Sequence, residues 1–241
     1  MEAVHSSLPI TVLLLAVLLL TGCAGSRNPD DPLEPLNRSI YRFNDSIDKA
    51  VIKPVAQGYK AVMPSPAKIL IDNFISNLDD ILVTANDLLQ FKFTQAASDG
   101  ARVLFNSTFG VFGLFNVAHR LEKHHEDFGQ TLGYWGVSPG PYLVLPVLGP
   151  SSVRDATGLY VDGFASVPYN TQHVPTRNQY YIATGIHYRS SLLDQEKVLN
   201  EAVIDRYTFI RDTYFLLRKS QVYDGHPPRT RYDEWENGAG Q

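Results

Sequence analysis

Cysteine is almost missing from this sequence: Cys23 is the only one in 241 residues. No intrachain disulfide can form, and no structural zinc site can be assembled from thiolates. An excess of positive charge is missing too. Lys and Arg together number 21 against 25 Asp and Glu, a net charge of −4, which leaves no cationic footprint for nucleic acid. Neither a Walker A loop nor a G-x-G-x-x-G run occurs, so nucleotide energy and dinucleotide cofactors are not indicated. No apolar run reaches the roughly 20 residues that a membrane-spanning helix needs. The apolar content is nevertheless 44%, ample for one folded domain with tails.

The longest apolar block, Leu8 to Leu20, has the length of a secretory h-region and runs directly into Leu20-Thr21-Gly22-Cys23. That tetrapeptide resembles a bacterial lipobox. On this reading residues 1–22 are a signal peptide and Cys23 becomes an N-terminus carrying diacylglyceryl and acyl groups. Several acyl chains, at about 0.8 kcal/mol per buried CH₂, make a stable anchor. The n-region departs from the pattern, since it holds Glu2 and no Lys or Arg. An ordinary signal peptide with an incidental cysteine is the alternative. Ala24 resembles the sorting pattern of lipoproteins sent to the outer membrane. Residues 23–31 then read as a lipidated tether, 32–222 as the body, and 223–241 as a disordered, solvated tail.

Helical periodicity dominates the body. Ile40, Phe43, Ile47, Ala50, Val51 and Val55 recur at spacings of three and four, predicting an amphipathic helix kinked or ended near Pro54. Ser65-Pro66 marks a second start, with serine as N-cap, for a helix reaching about Leu89. Its apolar face is Leu70, Phe74, Leu78, Ile81, Leu82, Ala85 and Leu88, opposite a polar stripe of Asp72, Asp79 and Asn86. Thr94 is expected to cap a third helix toward Phe105, and Ser191 with Asp194 to begin the last. With no run of alternating strands, the predicted fold is all-α. Taken singly, each apolar stripe predicts ordinary packing into a core.

Two stretches lack formal charge. The 17 residues between Arg102 and Arg120 are rich in phenylalanine but contain Asn106, Ser107, Gly110 and Gly113. As a helix they would rise only about 25 Å, so a re-entrant hairpin or interfacial element fits better. The second run, Phe128 to Val153, holds five glycines and four prolines, and no continuous helix can pass through it. Its unpaired backbone groups are tolerated at membrane depth only against protein or water. A buried loop of a soluble domain is the competing reading.

Two motifs point elsewhere and fail on chemistry. Gly136-Val137-Ser138-Pro139-Gly140 matches G-x-S-x-G, but Pro139 has no N–H to give an oxyanion hole, so no hydrolase is expected. His119, His124, His125, Glu126 and Asp127 are metal-competent residue types at spacings that match no HExxH-type site, and a polar surface turn is the preferred reading.

Three blocks carry a family resemblance: Asp31 to Asp45 (DPLEPLNRSIYRFND), 86 to 118 (NDLLQFKFTQAASDGARVLFNSTFGVFGLFNVA), and 125 to 155 (HEDFGQTLGYWGVSPGPYLVLPVLGPSSVRD). Together they resemble the VacJ/MlaA family over about residues 30 to 222. Phe91 stands where many relatives carry glycine. The resemblance implies an irregular helical ring embedded in the outer membrane, with Gly/Pro-rich non-helical segments, beside a trimeric porin. It implies removal of misplaced phospholipids from the outer leaflet and their transfer to a periplasmic carrier of the Mla pathway. It supplies no catalytic residues and no cofactor beyond the lipid on Cys23. On that basis Thr131, Tyr134 and Ser138 are candidates to line a polar lane for headgroups, because a charged head cannot cross bare hydrocarbon. Phe105, Gly110, Gly113 and Phe115 are candidates for a gate hairpin. The alternative function is a structural lipoprotein that only tethers a partner.

Overall fold

The computed structural model describes residues 31–196 and 203–228. The expected signal peptide, Cys23, the tether up to residue 30, and the tail from residue 229 lie outside the described residues. The described chain is mostly helical, as the periodicity predicts. It opens with α1 (Glu34–Ile47), passes through a π-turn (Asp48–Ile52) and continues as α2 (Lys53–Val62). Pro54 therefore does not end the helix. It sits in the first turn of α2, and the widened π-turn just ahead absorbs the missing donor and the bulk of the proline ring.

The second start is displaced by one residue from expectation: Pro64 is the extended N-cap, and Ser65 is already helical in α3 (Ser65–Leu89). A tight corner then reverses the chain into α4 (Phe93–Thr108), which packs along α3. Thr94 lies inside that helix and not at its cap. Phe91 turns the corner at φ 60. This is the left-handed region that glycine occupies without cost and a bulky side chain does not.

After a long aromatic turn, Asp127 caps α5 (Phe128–Tyr134) by accepting from the Gln130 N–H. The glycine- and proline-rich run thus begins as a short helix. It then forms a two-stranded hairpin that period analysis misses: β1 (Tyr142–Leu145) and β2 (Gly149–Ser152), antiparallel, with Tyr142 opposite Ser152. Ser152 caps α6 (Val153–Ala165), whose Gly158 crosses α5 so closely that a Cβ would meet the Gly129 nitrogen at 2.2 Å. Next comes α7 (Val174–Ser191). Ser191 ends that helix and does not begin the last one. The last is α8 (Arg206–Val222), capped by Asp205, which accepts from the Tyr207 and Thr208 amides.

A small aromatic cluster lies under the hairpin, where Tyr142, Val144 and Tyr207 are buried against Ile40, Tyr41, Tyr214 and Phe215. Beside it the chain entry is clasped. Asp31 is fully enclosed, accepts from Asn37 Nδ2 at 2.8 Å and from the Tyr207 hydroxyl, and faces Arg211 at 3.6 Å. Asn37 also donates to the Tyr142 carbonyl and accepts from the Val144 amide, so one side chain ties the N-terminal segment to β1.

The distribution of polarity reverses the globular expectation. Among the described residues, buried polar and charged side chains outnumber buried apolar ones roughly two to one. In α3 the predicted apolar face is only partly covered, with Ile81, Ala85 and Leu88 exposed and Leu70, Phe74, Leu78 and Leu82 half-buried. Of the predicted polar stripe Asp72 and Asp79 are exposed, but Asn86 is buried together with Asn77, Asp80 and Asp87. Phe109, Phe112, Leu104, Leu148 and Leu216 are likewise exposed. Monomers in water rarely show apolar surface on this scale. Among the described residues no helix is long and apolar enough to cross a membrane.

Candidate functional site

An apolar concavity lies between α1, the π-turn, α2, the hairpin, α7 and α8. It is a cleft of about 840 Å³, within the size range of sites that enclose small ligands. Its wall is built from Val51, Ile52 and Val55 on one side and Ile182, Ile186 and Leu192 on the other, with Leu148 and Pro150 from the hairpin. Gly185 also lines it, and a Cβ there meets nothing within 4 Å.

Most charges on this wall are mutually satisfied. Arg189 donates to both Asp48 oxygens at 2.7 and 2.8 Å and to Glu196 at 2.6 Å, and Lys53 holds the other Glu196 oxygen at 3.0 Å. Asp45 pairs with Lys49 at 2.7 Å. Asn44 spans the hairpin turn, donating to the Leu145 carbonyl and accepting from the Val147 amide. These pairs join α1, α7 and the hairpin around the apolar wall.

A second feature is the aromatic turn after α4. Phe109, Val111, Phe112 and Phe115 point outward, with Phe112 77% exposed. Val111 and Phe112 both have positive φ, at 52 and 56, a costly conformation for branched or bulky residues that surrounding structure must hold. Asparagines from the helices hold it. Asn73 donates to the Leu114 carbonyl at 3.0 Å, Asn77 donates to Ser107, and Asn106 accepts from the Ala118 amide at 3.0 Å. An irregular backbone can thus lie beneath a phenylalanine surface with its polar groups satisfied, which is the condition for non-helical chain in an apolar setting.

The segment expected to form a hairpin is a run of tight turns, and two glycines in it are sterically confined. Gly113, at φ +89, packs against the Asn77 side chain, 2.6 Å from where a Cβ would lie. Gly110 is closer still to the Phe115 carbonyl, at 2.1 Å. Phe105 and Phe115 are exposed beside them, and Phe105 stacks on Phe109 with centroids 6.1 Å apart.

The three residues proposed to line a lane are not brought together on one wall. Thr131 is fully buried and its hydroxyl is committed, donating to Asn86 Oδ1 at 2.8 Å and accepting from Gln90 at 3.0 Å. Tyr134 is half exposed with Lys92 Nζ 5.7 Å from its ring centroid. Ser138 is exposed between α5 and β1. That position is not the strand-to-helix turn a nucleophile elbow needs.

The histidine-rich segment is only in part the expected surface turn, since His119 and His125 are exposed while its other side chains make buried contacts. His124 Nδ1 meets buried Asp99 at 2.6 Å, Glu126 is buried and pairs with Lys92 at 2.8 Å, and Asp127 caps α5. Among the described residues no group of three or more His, Cys, Asp or Glu is arranged to hold a metal. Nearby, Asp87 is fully buried and neither carboxylate oxygen has a hydrogen-bond partner. Burial, reinforced by the charges of Asp99 and Glu126, pushes its carboxyl up to about 7. Farther along, Arg218 bridges Asp127 at 2.6 Å and Asp155 at 2.9 Å. Burial opposes ionisation of Asp155, but hydrogen bonds from Arg218, Arg154 and Tyr214 outweigh it and hold that carboxyl at about 2. The sequence pair Arg154-Asp155 is thus both a buried ion pair, at 2.8 Å, and the start of a helix.

Comparison with known proteins adds to this geometry. Residues 29–221 match the MlaA lipoprotein family. The chain is 34% identical over 220 residues to the intermembrane phospholipid transport system lipoprotein MlaA of Escherichia coli, covering 86% of each chain. It is 30% identical over 229 residues to the protein of the same description from Haemophilus influenzae, covering 90% of this chain and 91% of that one. A solved structure described as the structural basis for maintenance of bacterial outer membrane lipid asymmetry superimposes with a TM-score of 0.70 at 30% identity. That match covers 80% of this chain and 98% of the other.

Proposed function

The chain belongs to the MlaA lipoprotein family, and from that premise we propose that it is an outer-membrane lipoprotein of intermembrane phospholipid transport. It takes phospholipids misplaced in the outer leaflet and passes them to a periplasmic carrier, preserving lipid asymmetry. The observation that carries this reading is the displaced polarity: large apolar side chains of α3 (Ile81, Leu88), α4 (Leu104, Phe105) and the aromatic turn are exposed, while buried polar and charged side chains outnumber buried apolar ones among the described residues. Such a body is suited to sit among acyl chains, which solvate its exterior as a core would.

The apolar cleft, rimmed by satisfied charge pairs, offers tails a dry wall and headgroups a polar edge. The aromatic turn, whose Phe105, Gly110, Gly113 and Phe115 form one packed unit, is the element placed to control lateral entry. Cys23 carries the anchoring lipid, and a trimeric porin is the proposed neighbour in the membrane. No nucleotide site is needed, because transfer runs down a gradient or toward a tighter-binding carrier.

Native mass spectrometry of the detergent-extracted protein tests this. Co-purified phospholipid is the expected result, together with raised outer-leaflet phospholipid in cells lacking the protein. A lipid-free protein whose deletion leaves asymmetry intact would instead identify a tethering lipoprotein.

A further inference from the structure

One cation on the cleft wall stands apart. Arg206, the first residue of α8, lines the cleft and makes no ion pair with any described acidic residue. Every other charge on that wall is spent. Asp45 is held by Lys49, and Asp48 and Glu196 are held by Arg189. Even the carboxylate next in sequence is committed, since Asp205 caps α8 and pairs with Arg38 at 2.9 Å. An arginine with no counter-ion among the described residues, at the edge of a low-dielectric wall, favours an anion there, and its planar fork suits a phosphate.

A second donor lines the same cleft. Tyr41 has a hydroxyl with no hydrogen-bond partner among the described residues, and the charge with the largest influence on it is Arg206. The Tyr41 ring is fixed edge-on to buried Tyr207 at 5.9 Å, so the hydroxyl is presented from a rigid base. From this pair the apolar wall of Val51, Ile182 and Ile186 extends into the cleft.

We propose that Arg206, with the Tyr41 hydroxyl, receives the phosphodiester of a glycerophospholipid whose acyl chains lie along that wall, so that the cleft selects phospholipid over neutral lipid. This rests on the transport reading and deepens it. The recognised group is the phosphate shared by all glycerophospholipids, so the site distinguishes little between ethanolamine and glycerol headgroups. It distinguishes strongly against diacylglycerol, which fills the wall equally well but leaves Arg206 facing hydrocarbon unpaired.

The test uses the full chain purified in detergent and exposed to mixed micelles holding phosphatidylglycerol, phosphatidylethanolamine and diacylglycerol with identical acyl chains. Retained lipid is counted by mass spectrometry. Wild type is expected to favour either phospholipid over diacylglycerol by about tenfold, the equivalent of about 1.4 kcal/mol from a charge-assisted contact. Arg206→Gln should bring that ratio close to one without lowering diacylglycerol retention. Arg206→Lys should keep part of it, and Tyr41→Phe, which preserves the ring packing, should lose part. Unfolding temperatures serve as the control for folding.

Equal retention of diacylglycerol by wild type, or an unchanged ratio in a folded Arg206→Gln protein, overturns the phosphate assignment and leaves the lipid cleft standing. Retention of no lipid of any class by wild type removes the transport reading, and the assignment with it.

Discussion

Replacing Asp87 by asparagine removes a buried charge while keeping the shape of the side chain. Asp87 sits in the last turn of α3, where the carbonyl end of the helix already disfavours negative charge. No donor reaches either oxygen. The charged and titratable groups that act on it are Asp99 from α4, His124 and Glu126 from the segment before α5, and Lys92 from the corner. Its carboxyl rises from an ordinary 3.8 to about 7 in the folded protein. The folded state therefore binds this proton more tightly than the unfolded state does. The stability it contributes is complete below about pH 4 and is lost as pH rises through 7. A rise of about three units corresponds to roughly 4 kcal/mol at 1.36 kcal/mol per unit.

Asp87→Asn cannot ionise, and it removes the charge repulsion from Asp99 and Glu126. Urea unfolding in detergent, run from pH 4 to pH 8, should show the variant overtaking wild type as pH rises, by up to roughly 4 kcal/mol at pH 8. The comparison is made as a difference, so that the titration of His125 and Glu126 largely cancels. A stability difference that stays constant over this range would refute the reasoning.

Other substitutions probe separate parts of the molecule. Arg218→Met strands Asp127 and Asp155 without their shared cation and should cost about 3 kcal/mol, read as a lowered unfolding midpoint. Less than 1 kcal/mol would mean that the network is idle. Gly185→Phe places a ring in the open cleft without a backbone clash. It should fold normally, retain less phospholipid and raise outer-leaflet phospholipid in cells, and normal retention would show that the cleft is not the lipid site. Phe91→Gly relieves a left-handed conformation at an exposed corner and should stabilise by up to about 1 kcal/mol in denaturant titration. A loss of stability would show that the exposed ring matters more than the backbone.

Elements with a strong apolar period or a punctuating proline were legible in the sequence. The starts of α3 and of the aromatic turn are examples, the latter because Gly110 and Gly113 interrupt a phenylalanine run. Sidedness was only partly legible. Asp72 and Asp79 of the predicted polar stripe are exposed, yet Asn86 points inward in α3 together with Asn77, Asp80 and Asp87. Nothing in spacing alone says which solvent lies outside. α7 escaped notice because its large side chains are spread round the helix: Tyr181, Ile182 and Ile186 face the cleft, whereas Tyr188 reaches Asp79 of α3. The hairpin was hidden because β2 is Gly-Pro-Ser-Ser, a turn-like string that pairs only because β1 is beside it. The cleft itself draws on residues from Tyr41 to Ile210, and only the folded chain assembles them.

The clasp around Asp31 also sets a length. Eight residue steps separate it from Cys23, and a fully stretched chain gains at most about 3.6 Å per step. With Asp31 locked by Asn37 and Tyr207, the proposed acylation of Cys23 would give a leash of about 29 Å at most. On the proposed function, such a leash would keep the body at the level of the bilayer, and cargo would have to be collected by a visitor.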